Sequence, residues 1–284
     1  MNISALEFIY TVVLRPPPLK KLANAVIRRI VPRTLSRQGA IIALNPNDPV
    51  ISGSLTLGVY ELPETRFFLR VCRPGLTFLD IGANVGYYTA LALSRMQNSG
   101  RIVALEPDPE NFQYLQATVA ANNGRIAVCL QKAASDHAGR MTLHTSRDNR
   151  GDNRLYANEL CAGSCEVEVE PVDSILTALD IKAVDLIKMD VQGYESHVLA
   201  GMKDTVRNST RLVLLSEFWP DGLRRAGSDP ARYLLDLQAL GLSIFELTNE
   251  AEIVPVTNPD ELIGRFPGRR YTNVVGLRGT ISAL

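Results

Sequence analysis

Carboxylates and glycines recur in this chain where apolar runs end, and their spacing describes a ligand site. The stretch Phe78-Leu79-Asp80-Ile81-Gly82-Ala83-Asn84-Val85-Gly86 holds an apolar run, a carboxylate at Asp80 and two glycines around Asn84. A helix is expected to follow over Tyr87–Met96. A backbone turning straight from strand to helix needs residues without a Cβ if a ligand is to lie against it. The glycines Gly82 and Gly86 do not reproduce the G-x-G-x-x-G spacing that seats a pyrophosphate, and Asp80 favours a cationic ligand over an anion. The amino group and sulfonium of S-adenosylmethionine fit both features; a turn without a ligand is the plainer reading. A second apolar run, Arg101–Leu105, ends in Glu106, about 20 residues past Gly86, where a doubly wound fold places the acid that binds a ribose diol.

Two later strand ends supply candidates for acid–base chemistry. Asp190 follows the apolar run Val184–Met189 and precedes Gly193 and a helix; Glu217 lies near the end of Leu212–Phe218, next to Trp219. Ligands of doubly wound sheets bind at the carboxyl ends of strands, so both acids face the expected crevice. Transfer of a methyl group to an alcohol requires a proton to leave, and Asp190 is the first candidate base, with Glu217 second. Asp190 is also placed against the cofactor. The two carboxylates together offer hard oxygen ligands to magnesium or manganese, but no third ligand is assigned and no metal set is read. Glu195 and Lys188 join the cluster, Lys188 with the alternative of simply pairing an acid. His197 falls on the other side of the helix from Glu195, and His137 and His144 are not placed.

Four segments in order, DIGANVGYYT, EPDPENFQYLQATVAANN, KAASDHAG and DLIKMDVQGYESHVLAGM, resemble the FkbM family of S-adenosylmethionine-dependent methyltransferases. The resemblance runs from about Leu76 to Phe218. It implies a class I methyltransferase sheet in which Ser243–Leu247 and Asn273–Leu277 form the closing antiparallel pair. It also implies that Ser135 and Asp136, after the third strand Ile126–Leu130, contact the adenine end of the cofactor; Asp136 capping a turn is the alternative. One departure stands out. The family usually reads Asp-Val-Glu-Gly, and this chain has Asp190-Val191-Gln192-Gly193, which keeps hydrogen bonding but loses a charge.

The elements that must position these residues alternate between strand and helix, as in a parallel sheet covered by helices. The expected architecture is α/β: a doubly wound, Rossmann-like sheet, mostly parallel with a closing antiparallel strand, plus an N-terminal helical extension. Asp108 and Asp229 read as helix caps, each followed by Pro, with Gly124 and Gly241 as terminators. Residues 137–175 interrupt the alternation with two period-two segments around Arg140–Thr145 and Glu166–Glu170. They predict an inserted hairpin whose charged connecting loop is either a binding loop or solvated surface. The domains expected are a basic amphipathic helical segment, 1–45, and a methyltransferase domain, 46–284.

Lys+Arg and Asp+Glu number 30 each in the 284 residues, so the net charge is zero. The first 40 residues hold Arg15, Lys20, Lys21, Arg28, Arg29, Arg33 and Arg37 against Glu7 alone, which leaves the remainder mildly acidic. An acidic body is unsuited to tracking nucleic acid and points to a small-molecule or glycan acceptor. The helix expected over Leu19–Val31 carries an apolar face flanked by basic residues. It suits either peripheral contact through residues 1–33 with an anionic membrane surface or packing on the body or a second subunit of a homodimer. The four cysteines show no paired C-x-x-C spacing, and no signal peptide or ~20-residue apolar span is read. A cytoplasmic protein, peripheral at the inner face of the membrane if residues 1–33 bind it, is expected. Besides an O-methyltransferase acting on a sugar, glycolipid or secondary metabolite, two other classes stay open: a non-catalytic scaffold of the same fold, and a nucleotide-sugar or NAD enzyme.

Overall fold

In the computed structural model, which describes residues 29–146, 149–157 and 161–280, a hairpin comes first. Its strands are β1 (Thr34–Arg37) and β2 (Ala40–Ala43), turned by Gln38 and Gly39 at positive φ. Helices α1 (Ile51–Leu57) and α2 (Leu62–Val71) lead into the alternating unit. That unit runs β3 (Thr77–Ile81), α3 (Tyr87–Met96), β4 (Arg101–Leu105), α4 (Pro109–Ala121) and β5 (Ala127–Leu130). An insertion follows, with β6 (Ala133–Ala134), β7 (Gly139–Ser146) and β8 (Cys161–Glu170). The alternation resumes with α5 (Val172–Ala178), β9 (Leu186–Met189), α6 (Glu195–Ala200), α7 (Lys203–Asn208) and β10 (Leu212–Phe218). It closes with α8 (Pro220–Arg225), α9 (Pro230–Ala239), β11 (Ser243–Leu247), β12 (Ile253–Pro255), α10 (Pro259–Arg265) and β13 (Thr272–Arg278).

The central sheet has the order β12-β11-β13-β10-β9-β3-β4-β5. Strands β10, β9, β3, β4 and β5 are parallel, and β13 is antiparallel to both β10 and β11, the closing pair expected. Chain order reverses between β3 and β9, so their carboxyl ends frame a crevice. Alternate side chains of each strand enter opposite layers. Phe78, Ile102, Leu186, Val213 and Leu215 pack with Phe67, Phe68 and Leu91, whereas Leu79, Val103, Ile187 and Leu214 pack with Val198, Leu234 and Leu237. Both faces are covered, which is why β9 and β10 are buried along their full length and are mostly apolar, with Lys188, Ser216 and Glu217 the exceptions. The caps form as expected: Asp108 accepts the N–H groups of Glu110 and Asn111, and Asp229 that of Arg232.

The hairpin β1–β2 lies within the expected N-terminal segment, 1–45. Ala40 and Ile42 are fully buried in the core, and the Ala43 N–H donates to Thr118 Oγ1 at 2.9 Å, so the hairpin packs with the body of the fold. Two short runs joined by Gln38-Gly39 carried that signal. The expected helices over 3–14 and 19–31 lie almost wholly outside the described residues. No helix among the described residues is long and apolar enough to cross a membrane.

The insertion expected at about 137–175 is a hairpin: β7 and β8 pair antiparallel, with Arg140 opposite Glu168 and Leu143 opposite Cys165. Strand β6 joins β8 to make a separate three-stranded sheet. Cys161 and Cys165 therefore lie on a strand as free thiols.

Candidate active site

A cavity of about 430 Å³ opens at the carboxyl ends of β3, β4, β9 and β10. Its wall includes Gly82, Asn84, Glu106, Asp190, Gln192 and Glu217, and residues 149–155 of the insertion complete it. That volume is in the range of small-molecule sites. The sheet brings most of the expected residues together here.

On one side the wall is built for a ligand lying against the main chain. Gly82 has φ 81°, and a Cβ there would stand 2.0 Å from the Asp190 carbonyl oxygen, so only glycine lets β3 and β9 end this close. Asn84 also has a positive φ, 52°. Glu106 accepts the Asn84 N–H on Oε2 at 2.8 Å and the Asp108 N–H on Oε1 at 2.9 Å. Burial pushes its carboxyl up to about 8, against those two N–H bonds, which favour the charged form. Each carboxylate oxygen has room for a second hydrogen bond, and Glu106 faces the cavity.

Four expected contacts lie off the cavity wall. Asp80 is 1% exposed beneath the turn, where it accepts the Thr89 hydroxyl at 2.6 Å, and burial raises its carboxyl to about 6. Gly86 stands at the start of α3, where a Cβ would meet Leu115 at 2.8 Å; its missing side chain serves helix packing. Ser135 is fully buried and shares hydrogen bonds with Asp136 and the Tyr194 hydroxyl. Asp136 lies between Nδ1 of His137 at 2.6 Å and Nδ1 of His197 at 3.2 Å. Partial burial acts upward on it, but the two histidines hold it at about 2. Lys132, Ala133 and Ala134 line the cavity in their place.

On the other side is a cluster of charge. Lys188, 3% exposed, stands 3.6 Å from Asp190 and 5.3 Å above the Tyr88 ring. Burial pushes its ammonium down, but Asp190, Glu61 and Glu217 outweigh that and hold it above its usual value. Burial, with Asp190 and Glu195 adding to it, raises Glu217 far above the usual carboxylate range. Between the two expected acids stands the amide of Gln192: Nε2 donates to Asp190 Oδ1 at 2.8 Å and to Glu217 Oε2 at 3.2 Å. The residue that departs from the family pattern thus joins the two carboxylates, a position that the sequence does not reveal. Among the described residues, no group of three or more His, Cys, Asp or Glu is placed to hold a metal ion. Gln192→Ala is expected to slow turnover about tenfold, the lower end of what a hydrogen bond to a charged group contributes. Steady-state kinetics beside an unchanged melting temperature would show it.

Glu61 and Glu64 also belong to the cluster, although nothing in their local sequence marks them. Glu61 accepts the Tyr88 hydroxyl at 2.7 Å, and burial raises it despite the opposing pull of Lys188. Glu64 accepts from the Asn273 amide, with burial and Glu61 raising it to about 7. Glu195 accepts the N–H groups of Val191 and Gly193, and burial again raises it to about 7. These shifts fix a sign. A carboxyl whose folded pKa exceeds its ordinary 4.5 stabilises the fold fully below that value and loses the contribution as pH rises through the folded pKa. With Glu64 and Glu195 at about 7 and Glu106 at about 8, the loss falls between about pH 4.5 and 8. Urea midpoints should therefore be lower at the alkaline end of that window; equal midpoints would contradict the burial of these acids.

Residues 80–234 match the family described as the methyltransferase FkbM domain. The 2-O-methyltransferase NoeI of Sinorhizobium fredii is 31% identical over 192 residues, 62% of this chain and 74% of that protein. The hexuronic acid methyltransferase AglP of Haloferax volcanii is 23% identical over 177 residues, 62% of this chain and 67% of its own. The solved structure of an FkbM methyltransferase from Methylobacillus flagellatus has 16% identity and a TM-score of 0.45, with 97% of this chain and 62% of that chain covered.

Proposed function

The chain belongs to the FkbM family and is an S-adenosylmethionine-dependent methyltransferase; we propose that its acceptor is a hydroxyl of a sugar, glycolipid or secondary metabolite. The observation that carries this reading is the meeting, in one cavity, of the Gly82–Glu106 cradle and the bridged carboxylates Asp190 and Glu217. The names of the relatives, a 2-O-methyltransferase and a hexuronic acid methyltransferase among them, point the same way.

The cradle fits the cofactor on its own chemistry. Gly82 puts main chain without a side chain on the cavity wall, and the buried Glu106 carboxyl offers acceptor capacity for ribose hydroxyls. S-adenosylmethionine supplies, when bound, a methyl group on a good leaving group, so much of the rate comes from aligning the acceptor with it. Asp190 takes the proton that the acceptor hydroxyl sheds. Lys188 and Gln192 hold its carboxylate in place, and Glu217 assists from the adjacent strand. A scaffold protein would have no use for so many buried carboxyls around one cavity. For a dinucleotide enzyme, the Gly82/Gly86 spacing is wrong.

Calorimetric titration with S-adenosylmethionine and with NAD tests the reading at its base: binding of the first and not the second is expected. A labelled methyl donor then screens hydroxyl-bearing acceptors, and product bearing the label only on nitrogen or carbon would overturn the acceptor class. For residues 1–33 we keep the reading of peripheral contact with anionic lipid. Their deletion should abolish co-sedimentation with anionic vesicles and spare cofactor affinity. Dissociation of a dimer on deletion would instead make them a packing element.

A further inference from the structure

The cavity wall holds a cation that the proton transfer does not use. Arg154 is 6% exposed and sits on the loop between β7 and β8, anchored by backbone hydrogen bonds in both directions with His144. Its guanidinium lies over the Trp219 ring, 4.6 Å from the centroid, and 5.7 Å from that of Tyr156. Its Nη2 pairs with Asp152, while Nε is buried with no hydrogen-bond partner among the described residues. Buried donors are nearly always paired, so the unpaired Nε leaves this guanidinium, on a residue that lines the cavity, short of hydrogen bonds. One carboxylate at one nitrogen also leaves much of a five-donor fork unused. Lys188, by contrast, is surrounded by Asp190, Glu61 and Glu217.

Arg154 is close to the chemistry. Trp219, beneath it, follows β10 two residues after Glu217. Tyr156, beside it, donates to the carbonyl of Gln192 at 2.7 Å, and the Gln192 amide joins the two acids. A second guanidinium, that of Arg269, is exposed at the same cavity and has no carboxylate partner among the described residues. Tyr271, about half exposed, adds a flat face suited to a sugar ring.

We propose that Arg154, with Arg269, binds an oxyanion carried by the acceptor beside the hydroxyl that is methylated. A planar guanidinium fork matches carboxylate and phosphate alike, so the acceptor is an acidic sugar or metabolite. The proposal rests on the reading of the chain as a hydroxyl methyltransferase.

The test uses the full chain saturated with S-adenosylhomocysteine and titrated with methyl glucuronide, methyl glucoside 6-phosphate and neutral methyl glucoside. At least one charged sugar should bind about tenfold tighter than the neutral one, as a charge-assisted hydrogen bond provides, and which one does so distinguishes carboxylate from phosphate. Arg154→Gln should bring the preference within about twofold, and Arg154→Lys should retain part of it. Should Arg154→Gln fail to fold, the exposed Arg269→Gln reads the same preference, with a partial loss expected. Equal binding of all three sugars, a preference that survives both substitutions, or binding of none of them overturns the proposal. Binding of S-adenosylhomocysteine separates the two layers: its loss sinks the methyltransferase reading, whereas its presence without charge preference sinks only the acidic acceptor.

Discussion

Asp190→Asn is expected to lower turnover by about 10²–10⁴-fold, the range that a general base contributes, with cofactor affinity unchanged. The substitution keeps the shape of the side chain and removes its basicity. Asp190 follows β9 beside the chain reversal, faces the cavity, and is held by Lys188 at 3.6 Å and by Gln192 at 2.8 Å. No other acid in the cluster combines those features: Glu195 is turned into the backbone of its own helix entry, and Glu64 is engaged by Asn273. Glu217 is the exception, and burial keeps it protonated well above the usual range, which suits a hydrogen-bond partner better than a base. Turnover at the wild-type rate in Asp190→Asn would place the base elsewhere, and Glu217→Gln would be tested next. Loss of activity in wild-type protein on chelation, restored by magnesium or manganese, would instead give the Asp190–Glu217 pair a cation to hold.

The residues that face the crevice were legible wherever an apolar run set the strand and a carboxylate ended it. Asp190, Glu217 and Glu106 follow from that grammar alone, because a parallel sheet points all its strand ends at one edge. Motif membership was less informative within the turn itself. Asp80 and Gly82 are two residues apart, yet Gly82 lines the cavity and Asp80 is buried beneath it on Thr89. A regular strand would put both on one face, but β3 ends at Ile81 and the positive φ of Gly82 turns the chain out of the pleat, which only the packed structure shows. Gly86 likewise answers to Leu115 across α4, a contact between helices that spacing does not show. Glu61, Glu64 and Arg154 lie outside every motif and reach the site through α2 and the inserted loop. The loop itself is placed by charge: Arg150 pairs with Asp108 and Glu110 at the start of α4, and its N–H donates to Asp48. Ion pairs between segments so far apart in sequence carry no local signature. The hairpin β1–β2 had a local signal in its two short runs around Gln38-Gly39, but Arg37 continues the charge pattern of the preceding segment.

Glu106→Ala should weaken S-adenosylmethionine binding by about 1.5–3 kcal/mol, roughly ten- to hundredfold, through lost hydrogen bonds to the ribose. Part of the effect is indirect, because the same carboxyl holds the Asn84 and Asp108 N–H groups and so ties the first turn to the second strand. Asp80→Asn separates the two contributions. Asp80 also stabilises the turn, through Thr89, but stands off the cavity wall, so its loss should lower the melting temperature and move cofactor affinity much less. Calorimetric titration of both variants, with circular dichroism to establish that each is folded, gives the comparison. An affinity in Glu106→Ala equal to wild type removes Glu106 from the cofactor site. An equal loss in both variants would mean that the turn, rather than the carboxyl, holds the ribose.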